Sequence, residues 1–213
     1  LRAHCRAVAA AKRRAYRHEE YWGRPVPGFG DPQARLLVIG LAPAAHGANR
    51  TGRMFTGDSS GDWLYRALHR FGFASRPRAE RRDDGLRLEG AYITAIGRCA
   101  PPENRLAPEE IRACRPFLRA EIAALTGVRV VVCLGRVAFD GFLATVREMG
   151  WRAGEKGEKP VFGHGLLYEL GEGRPALIAS YHPSRQNTQT GRLTEAMLND
   201  VFRRARAVID AAS

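Results

Sequence analysis

Long apolar runs are missing from this 213-residue sequence. No stretch approaches the roughly 20 consecutive apolar residues that a membrane-spanning helix needs, and the basic, Ala-rich residues 1–17 show no signal-peptide cleavage pattern. Internal repeats are absent as well. We therefore expect a cytoplasmic protein without membrane association. Because the length allows one substantial core and little more, we also expect a single domain over residues 1–213 and a monomer.

Lysine is scarce. Only Lys12, Lys156 and Lys159 are lysines among 34 basic residues, and 22 acidic residues leave a formal net charge of +12. A GC-rich genome explains the arginine bias about as well as a functional need does. The positive charge itself attracts polyanions and speeds their capture, so nucleic acid is the leading partner class.

Cysteine is also sparse, and no two cysteines have the Cys-x-x-Cys spacing. Cys5, Cys99, Cys114 and Cys133 are scattered along the chain. In a protein of intracellular character, disulfides are disfavoured and metal ligation or burial is expected. Cys133 lies within an apolar run, and we interpret it as buried packing.

Short apolar runs bounded by turn residues alternate with segments of helical periodicity. The runs are residues 35–40, 91–97, 128–135 and 175–181, and the last helical segment is residues 193–212. Runs of this kind suit strands that are buried on both faces. The pattern predicts an α/β fold, a three-layer α/β/α sandwich around a mainly parallel central sheet. Residues 154–170 break the alternation and are interpreted as a hairpin or irregular crossover.

Ligands of open α/β sheets bind beyond the carboxyl ends of the strands. That position selects residues 41–61, 98–105, 135–136 and 182–192 as one candidate site. The first of these segments is rich in glycine but lacks the Gly-Lys-Ser/Thr ending of a phosphate-binding loop. The charge-dense residues 76–85, by contrast, are expected to form a weakly structured surface loop.

The residues that follow the strands resemble a known family. The sequences GLAPAAHGANRTGRMFTGD (residues 40–58), RCAPPEN (98–104) and SYHPSRQNTQTGR (180–192) are similar, in content and order, to the motifs of family 5, or type B, of the uracil-DNA glycosylases. The opening EYWGRPVPGFGDP (20–32) resembles the same family, and the likeness runs from about Tyr21 through Arg204. The resemblance implies the uracil-DNA glycosylase-like fold and a prokaryotic repair enzyme that associates with the nucleoid while it works.

The resemblance also implies roles for individual residues. The implied catalytic residues are Asp58, Asn104 and His182; the base-binding residues are Gly40, Ala42, Phe55 and Ala95; the residues that enter the minor groove of DNA are Arg185, Gln186 and Asn187. Each position has a structural alternative. Phe55 suits an ordinary core aromatic, Asp58 the N-cap of the following helix, and His182 a structural histidine. Arg50, Arg53 and Arg192 suit either phosphate contacts or solvated surface positions.

The chemistry of base removal fits these residue types. Breaking the bond between base and sugar leaves negative charge on the base, which His182 is placed to stabilise, while Phe55 offers a stacking surface to an extruded base. No lysine lies in a motif, so water is the expected nucleophile and the enzyme is expected to be monofunctional. Related families read uracil with an asparagine where Ala95 stands here. We therefore expect action on hypoxanthine and xanthine as well as uracil, in double-stranded DNA.

The resemblance further implies a [4Fe-4S] cluster held by an early Cys-x-x-Cys and a later cysteine pair. Cys99 and Cys114, with 14 residues between them, match the later pair. The early pair is absent, and we expect that the sequence given lacks its natural N-terminus. Four thiolates are the usual requirement of such a cluster, with Cys5 a weak alternative for a third ligand.

Two other functional classes stay open from the sequence. A protein of the same fold that holds a damaged base without cutting would bind a uracil-containing duplex and release no free base. A small-molecule nucleotide-binding protein is the other alternative, which the missing phosphate fingerprint and the basic charge disfavour.

Overall fold

The computed structural model describes residues 1–151 and 159–211. Six strands form one sheet in the order β1-β3-β2-β4-β6-β5. Their bounds are Phe29–Gly30 (β1), Leu36–Gly40 (β2), Ala91–Ala95 (β3), Val130–Leu134 (β4), Leu167–Tyr168 (β5) and Ala176–Ser180 (β6). The four central strands are parallel, and the two-residue edge strands β1 and β5 pair antiparallel. The predicted sheet is confirmed, with the two edge strands in addition.

Helices cover both faces of the sheet. Their bounds are Arg2–Ala11 (α1), Ala48–Thr51 (α2), Ser59–Arg70 (α3), Pro108–Ala124 (α4), Arg136–Glu148 (α5), Arg185–Gln189 (α6) and Glu195–Ala211 (α7), with short 3-10 turns at Arg14–Tyr16 and Pro102–Asn104. No helix in the described part of the chain is long and apolar enough to cross a membrane.

Alternate residues of each central strand face opposite layers, as the two-residue period of a strand requires. In β2, Leu36 and Val38 pack toward α3 and α7, whereas Leu37 and Ile39 pack toward α4 and α5. Cys133 is fully buried on the second face, which confirms its interpretation as packing. Two apolar cores therefore sandwich the sheet, and the predicted three-layer α/β/α architecture is confirmed.

The segment that breaks the alternation lies partly outside the described residues, which exclude 152–158. Its remainder contains β5, whose Leu167 and Tyr168 pair with Ile178 and Leu177 of β6. This antiparallel pairing is consistent with the hairpin, one of the two interpretations that the sequence left open beside an irregular crossover.

Candidate active site

The order of the strands fixes where a ligand fits. From β2 the chain steps to β3 on one side, and the next strand, β4, lies on the other side of β2. Such a reversal opens a crevice at the carboxyl ends of the two diverging strands. The loops after β2 and β3 are joined there, because Ile96 N–H donates to the Gly40 carbonyl at 3.0 Å and Gly97 N–H to the Leu41 carbonyl at 2.8 Å.

Phe55 lies in this crevice with a strained backbone. Its φ angle is 53°, in the left-handed region that bulky residues seldom adopt. The ring lies over the backbone of Gly40, where an added Cβ would sit 2.7 Å from the Phe55 ring. The Phe55 carbonyl oxygen would lie 1.8 Å from a Cβ at Gly61, in the first turn of α3. Two glycines therefore give the ring and the carbonyl the space that this conformation needs.

Gly61→Ala is expected to displace Phe55 and to lower both stability and base-excision activity. Alanine normally stabilises a helix interior relative to glycine by about 1 kcal/mol. Here the added methyl overlaps a backbone oxygen, so overpacking of about 1–3 kcal/mol dominates. Chemical denaturation and single-turnover excision would measure the two effects. Ser60→Ala in the same turn is the control, and equal behaviour of the two variants would contradict the packing argument.

Asp58 is the N-cap of α3, as one of its two sequence interpretations predicted. Its Oδ1 accepts from the Gly61 N–H at 2.9 Å, and a Cβ at Gly47 would lie 2.1 Å from its Oδ2. Partial burial raises the pKa of this carboxyl above its usual value, although the backbone N–H groups of Gly61 and Ser60 act in the opposite direction. The second oxygen thus faces the loop after β2, where Gly47 leaves space for it.

His182, directly beyond β6, is beside Phe55. The two ring centroids are 5.9 Å apart with 30° between the planes, and the His182 Cβ lies 3.3 Å from the position of a Cβ on Gly135, at the end of β4. Desolvation lowers the pKa of His182 to about 4. Within the described residues its imidazole has no hydrogen-bond partner. A neutral imidazole is therefore free to meet a ligand in the crevice.

The low pKa of His182 predicts a pH-dependent stability. The unfolded chain takes up this proton near pH 6.5, whereas the folded chain takes it up only near pH 4. The free energy of unfolding should consequently fall as the pH drops from about 6.5 toward 4. Denaturant titrations at several pH values would measure this slope. His182→Asn should flatten it, and an unchanged slope in that variant would contradict the assignment.

The remaining predicted base-binding and catalytic residues lie in different surroundings, and not all of them line the crevice. Ala42 approaches Gly97, whose added Cβ would lie 3.2 Å from the Ala42 methyl, so both line the joined loops. Ala95 pairs with Gly40 in register, but its methyl is buried in the core facing α3 and α7. Asn104 is exposed after β3 with φ 55°, and no hydrogen bond in the described chain joins it to Phe55, Asp58 or His182. The structure therefore brings three of the predicted residues together and leaves Asn104 on the same rim.

The predicted DNA-contacting residues occupy α6. Arg185 and Gln186 are exposed, whereas Asn187 is partly buried and its Nδ2 donates to the His182 carbonyl at 2.8 Å. Ser184 caps this short helix by accepting from the Asn187 N–H at 3.4 Å. Asn187 thus supports the loop that carries His182, and Arg185 and Gln186 project from it.

Arg53 is neither a solvated surface residue nor a free phosphate ligand, and both of its sequence interpretations are wrong. The side chain is 3% exposed. It makes a two-pronged ion pair with Asp84, at 2.9 and 2.7 Å, and its Nε donates to Thr56 Oγ1 at 3.0 Å. Two adjacent bonds of this geometry fix orientation as well as distance. The pair therefore anchors the Phe55 loop from one side.

The surface loop expected at residues 76–85 is confirmed, because most of its residues are exposed. The segment has no helix or strand, yet the Asp84 carboxylate accepts from three backbone N–H groups, those of Glu80, Arg81 and Leu86. Together with Arg53 these donors hold the pKa of Asp84 far below its usual range, against the effect of burial. The Ala79 carbonyl in turn accepts from the Gly57 N–H at 2.9 Å. Residues 76–85 therefore support the loop that carries Phe55.

Arg50 likewise departs from both sequence interpretations. It is buried, pairs with Glu19, and donates to the His46 carbonyl at 2.8 Å and the Gly57 carbonyl at 3.2 Å. Arg192 is exposed, with its guanidinium 4.7 Å from the Tyr181 ring centroid. Of the three arginines, Arg192 alone keeps a position in which a phosphate contact is open.

Comparisons with known proteins identify the family of the chain. The family model of the uracil DNA glycosylase superfamily matches residues 27–206. The chain belongs to the uracil DNA glycosylase superfamily. It is 53% identical over 201 residues to a type-5 uracil-DNA glycosylase of Thermus thermophilus, covering 94% of this chain and 88% of that protein. A type-5 enzyme of Pyrobaculum aerophilum is 46% identical, with 91% and 80% covered. A type-4 enzyme of the same organism is 31% identical, with 78% and 74% covered.

The cysteines of this superfamily member do not assemble the four-thiolate set of a [4Fe-4S] cluster. Cys5, from α1, meets the loop after β3: its Sγ accepts from the Ala100 N–H at 3.1 Å. A hydrogen bond from the Cys99 thiol lowers the pKa of Cys5 to about 7 and raises that of Cys99. Cys114 is partly buried on α4. Among the residues the structure describes, no three cysteine, histidine or acidic side chains are grouped to hold a metal.

Several residues of this superfamily site were missed by sequence reasoning. They are Gly47, Gly61 and Asp84, together with a buried cluster in which Glu121 of α4 accepts from Thr94 Oγ1 at 2.6 Å and from Arg98 at 2.5 Å. The two glycines lie in or beside the glycine-rich motif, so a signal was available for them. Asp84 and Glu121 are distant in sequence from their partners, and no local pattern marks them.

Proposed function

We propose that this protein is a monofunctional DNA glycosylase that removes uracil from double-stranded DNA by hydrolysing the N-glycosidic bond. The observation that carries the proposal is the neutral imidazole of His182, unpartnered and beside the Phe55 ring, in a crevice at the carboxyl ends of the strands. The printed names of the 53% and 46% identical relatives, both type-5 uracil-DNA glycosylases, support the same activity.

Departure of the base is assisted by the two rings. A target nucleotide has to leave the helical stack, and Phe55 provides a flat apolar surface for its base. When the bond to the sugar breaks, its electron pair goes to the base. The neutral imidazole of His182, beside the Phe55 ring, is assigned to donate a hydrogen bond to that developing charge. Because the imidazole stays uncharged above about pH 4, this donor is present at neutral pH.

Water completes the reaction on the sugar. Its oxygen bonds to the anomeric carbon and keeps one proton as the new hydroxyl of the abasic sugar, and its other proton ends on the released base. The Asp58 Oδ2 faces the loop after β2 and is assigned to orient the water and to stabilise the cationic sugar. Asn104, exposed on the same rim, is assigned a supporting contact to the substrate. None of the three lysines lies in these loops, which favours hydrolysis over a Schiff-base pathway.

The proposed substrate range includes hypoxanthine and xanthine. Gly40 and Ala95, paired at the ends of β2 and β3, carry no side-chain amide to read the uracil edge. Rejection of other bases requires buried polar groups that the wrong base leaves unpaired, and these positions supply none. We also propose duplex DNA as the partner, with the exposed Arg185 and Gln186 at its groove.

A panel of duplexes carrying one uracil, hypoxanthine or xanthine tests the proposal. Incubation followed by alkali is expected to break the lesion strand only after the alkali, with free base detected beforehand. Release of uracil alone would contradict the broad range. Tight binding without any released base would instead establish a damaged-base-binding protein.

Three further assignments belong with this proposal. We assign the chain to one domain acting as a monomer, which light scattering with and without duplex would check.

A [4Fe-4S] cluster is proposed only through Cys99 and Cys114 as two of its ligands, and no catalytic step depends on it. Iron and sulfide analysis of anaerobically purified protein decides the matter, since an iron-free, colourless product removes the cluster.

A further inference from the structure

An exposed cluster of arginines surrounds Trp22, outside the crevice. The Arg24 guanidinium carbon lies 3.8 Å from the indole ring centroid and that of Arg82 lies 4.3 Å from it. Both arginines are exposed, and within the described chain neither forms an ion pair. We call Trp22, Arg24 and Arg82 the arginine platform.

The arginine platform keeps two like charges close together without an acidic partner. Because both distances are measured to one ring, the guanidinium carbons lie within about 8 Å of each other, comparable to the Debye length at physiological ionic strength. Stacking on the indole restricts the arginine side chains and leaves their N–H edges open. A surface built in this way is preorganised to receive an anion.

A cleft of ≈ 470 Å³ adjoins the platform and extends its positive charge. Arg6 and Arg50 line it together with Arg24, and Glu20 is the acidic residue of the lining. Arg50 is neutralised by Glu19, so Arg6 and Arg24 outweigh Glu20. The charge of the cleft therefore has the same sign as that of the platform.

The platform is fixed to the loop that carries Phe55. The backbone N–H of Trp22 donates to the Arg50 carbonyl at 2.9 Å, and a Cβ at Gly52 would lie 2.8 Å from the indole. Gly52 precedes Phe55 by three residues, a distance of at most about 11 Å along the chain. The Arg82 carbonyl accepts from Arg53, so the third member is fixed to the same loop at 3.2 Å.

We propose that the arginine platform binds backbone phosphates of the DNA strand beside the extruded nucleotide. The anion must be large enough to reach both arginines and must lie next to the crevice, and a DNA backbone held in the crevice meets both conditions. Planar guanidinium groups with open edges match phosphate oxygens. This inference rests on the proposed function for its choice of DNA as the anion.

The test compares binding of an undamaged duplex by the wild-type chain and by Arg24→Ala/Arg82→Ala over about 50–200 mM salt. Loss of two phosphate contacts should reduce the slope of log K against log salt by about 2. The matched control is Arg35→Ala/Arg129→Ala, which removes the same charge from exposed positions next to the amino ends of β2 and β4, opposite the crevice. Its slope should equal that of the wild type.

A double lysine variant distinguishes the loss of positive charge from an effect on folding. Arg24→Lys/Arg82→Lys retains both charges, so its slope should remain near that of the wild type, and melting temperatures should be equal for all variants. A platform variant with the slope of the control would overturn the proposal, as would a lysine pair that behaves like the alanine pair. Because the slope is measured on undamaged duplex, it does not depend on catalysis. A flattened slope for the alanine pair, together with no uracil released by the wild-type chain from the lesion duplexes, would overturn the glycosylase proposal and leave the platform standing.

Discussion

His182→Ala is expected to reduce the single-turnover rate of uracil excision by about 10²–10³-fold. The imidazole is neutral, lies beside the Phe55 ring and has no hydrogen-bond partner in the described protein. Its removal therefore deletes a donor to the departing base without breaking a bond within the fold, and loss of one such donor typically costs this much. Rapid-quench measurement of base release from a uracil duplex gives the rate.

The control for this variant tests whether the loop that carries His182 keeps its structure when the imidazole is removed. Asn187 donates to the carbonyl of His182, so the loop should keep its shape when the imidazole is removed. Substrate affinity and the free energy of unfolding at pH 7 should accordingly change little. His182→Asn, which retains an N–H donor on a shorter side chain, should fall between the wild type and the alanine variant. Wild-type rates in both variants would refute the role of the imidazole.

Asp58→Asn is expected to lower excision by about 10²-fold or more while leaving the fold intact. Asparagine caps a helix about as well as aspartate, so the bond from the Gly61 N–H is retained. The variant removes only the negative charge assigned to the water and the cationic sugar. Loss of a positioned acid–base group costs about 10²–10⁴-fold in rate.

The pH profile gives Asp58→Asn a second readout. Burial raises the pKa of this carboxyl. Because the proposed mechanism uses its charged form, wild-type activity should fall as the pH drops through that raised value. The acid limb should be missing in the asparagine variant. Asp58→Ala, as a control, should also lose about 1 kcal/mol of stability through the lost cap. An asparagine variant with full activity would show that Asp58 serves only as a cap.

The central sheet was predictable from the sequence because its signal is local. The apolar runs that become β2 and β4 are buried on both faces, and such strands need no partner to be recognised in sequence. The edge strand Phe29–Gly30 has only two residues, too few to show the alternating pattern by which a strand is recognised in sequence. The short helix Ala48–Thr51 lies inside a motif whose glycines favoured a loop.

The site was predictable to the extent that residues follow strand ends. His182 and Phe55 stand in motifs at the carboxyl edge, and their proximity follows from the topology. The ion pair of Arg53 and Asp84 spans 31 residues and joins a glycine-rich loop to a polar segment, so neither sequence pattern indicates the other. The meeting of Cys5 with the loop at Ala100 spans 95 residues and was likewise hidden. Contacts of this kind depend on tertiary packing, which overrides local composition.

The left-handed backbone at Phe55 limits how the protein can be stabilised by substitution. Glycine would relieve the torsional cost at this position but would also remove the ring that faces His182. Any other aromatic or aliphatic residue would inherit the cost. Engineering for heat resistance therefore has to add stability elsewhere, for example in the exposed part of α7. A screen that selects for melting temperature alone would favour substitutions of Phe55 that abolish activity.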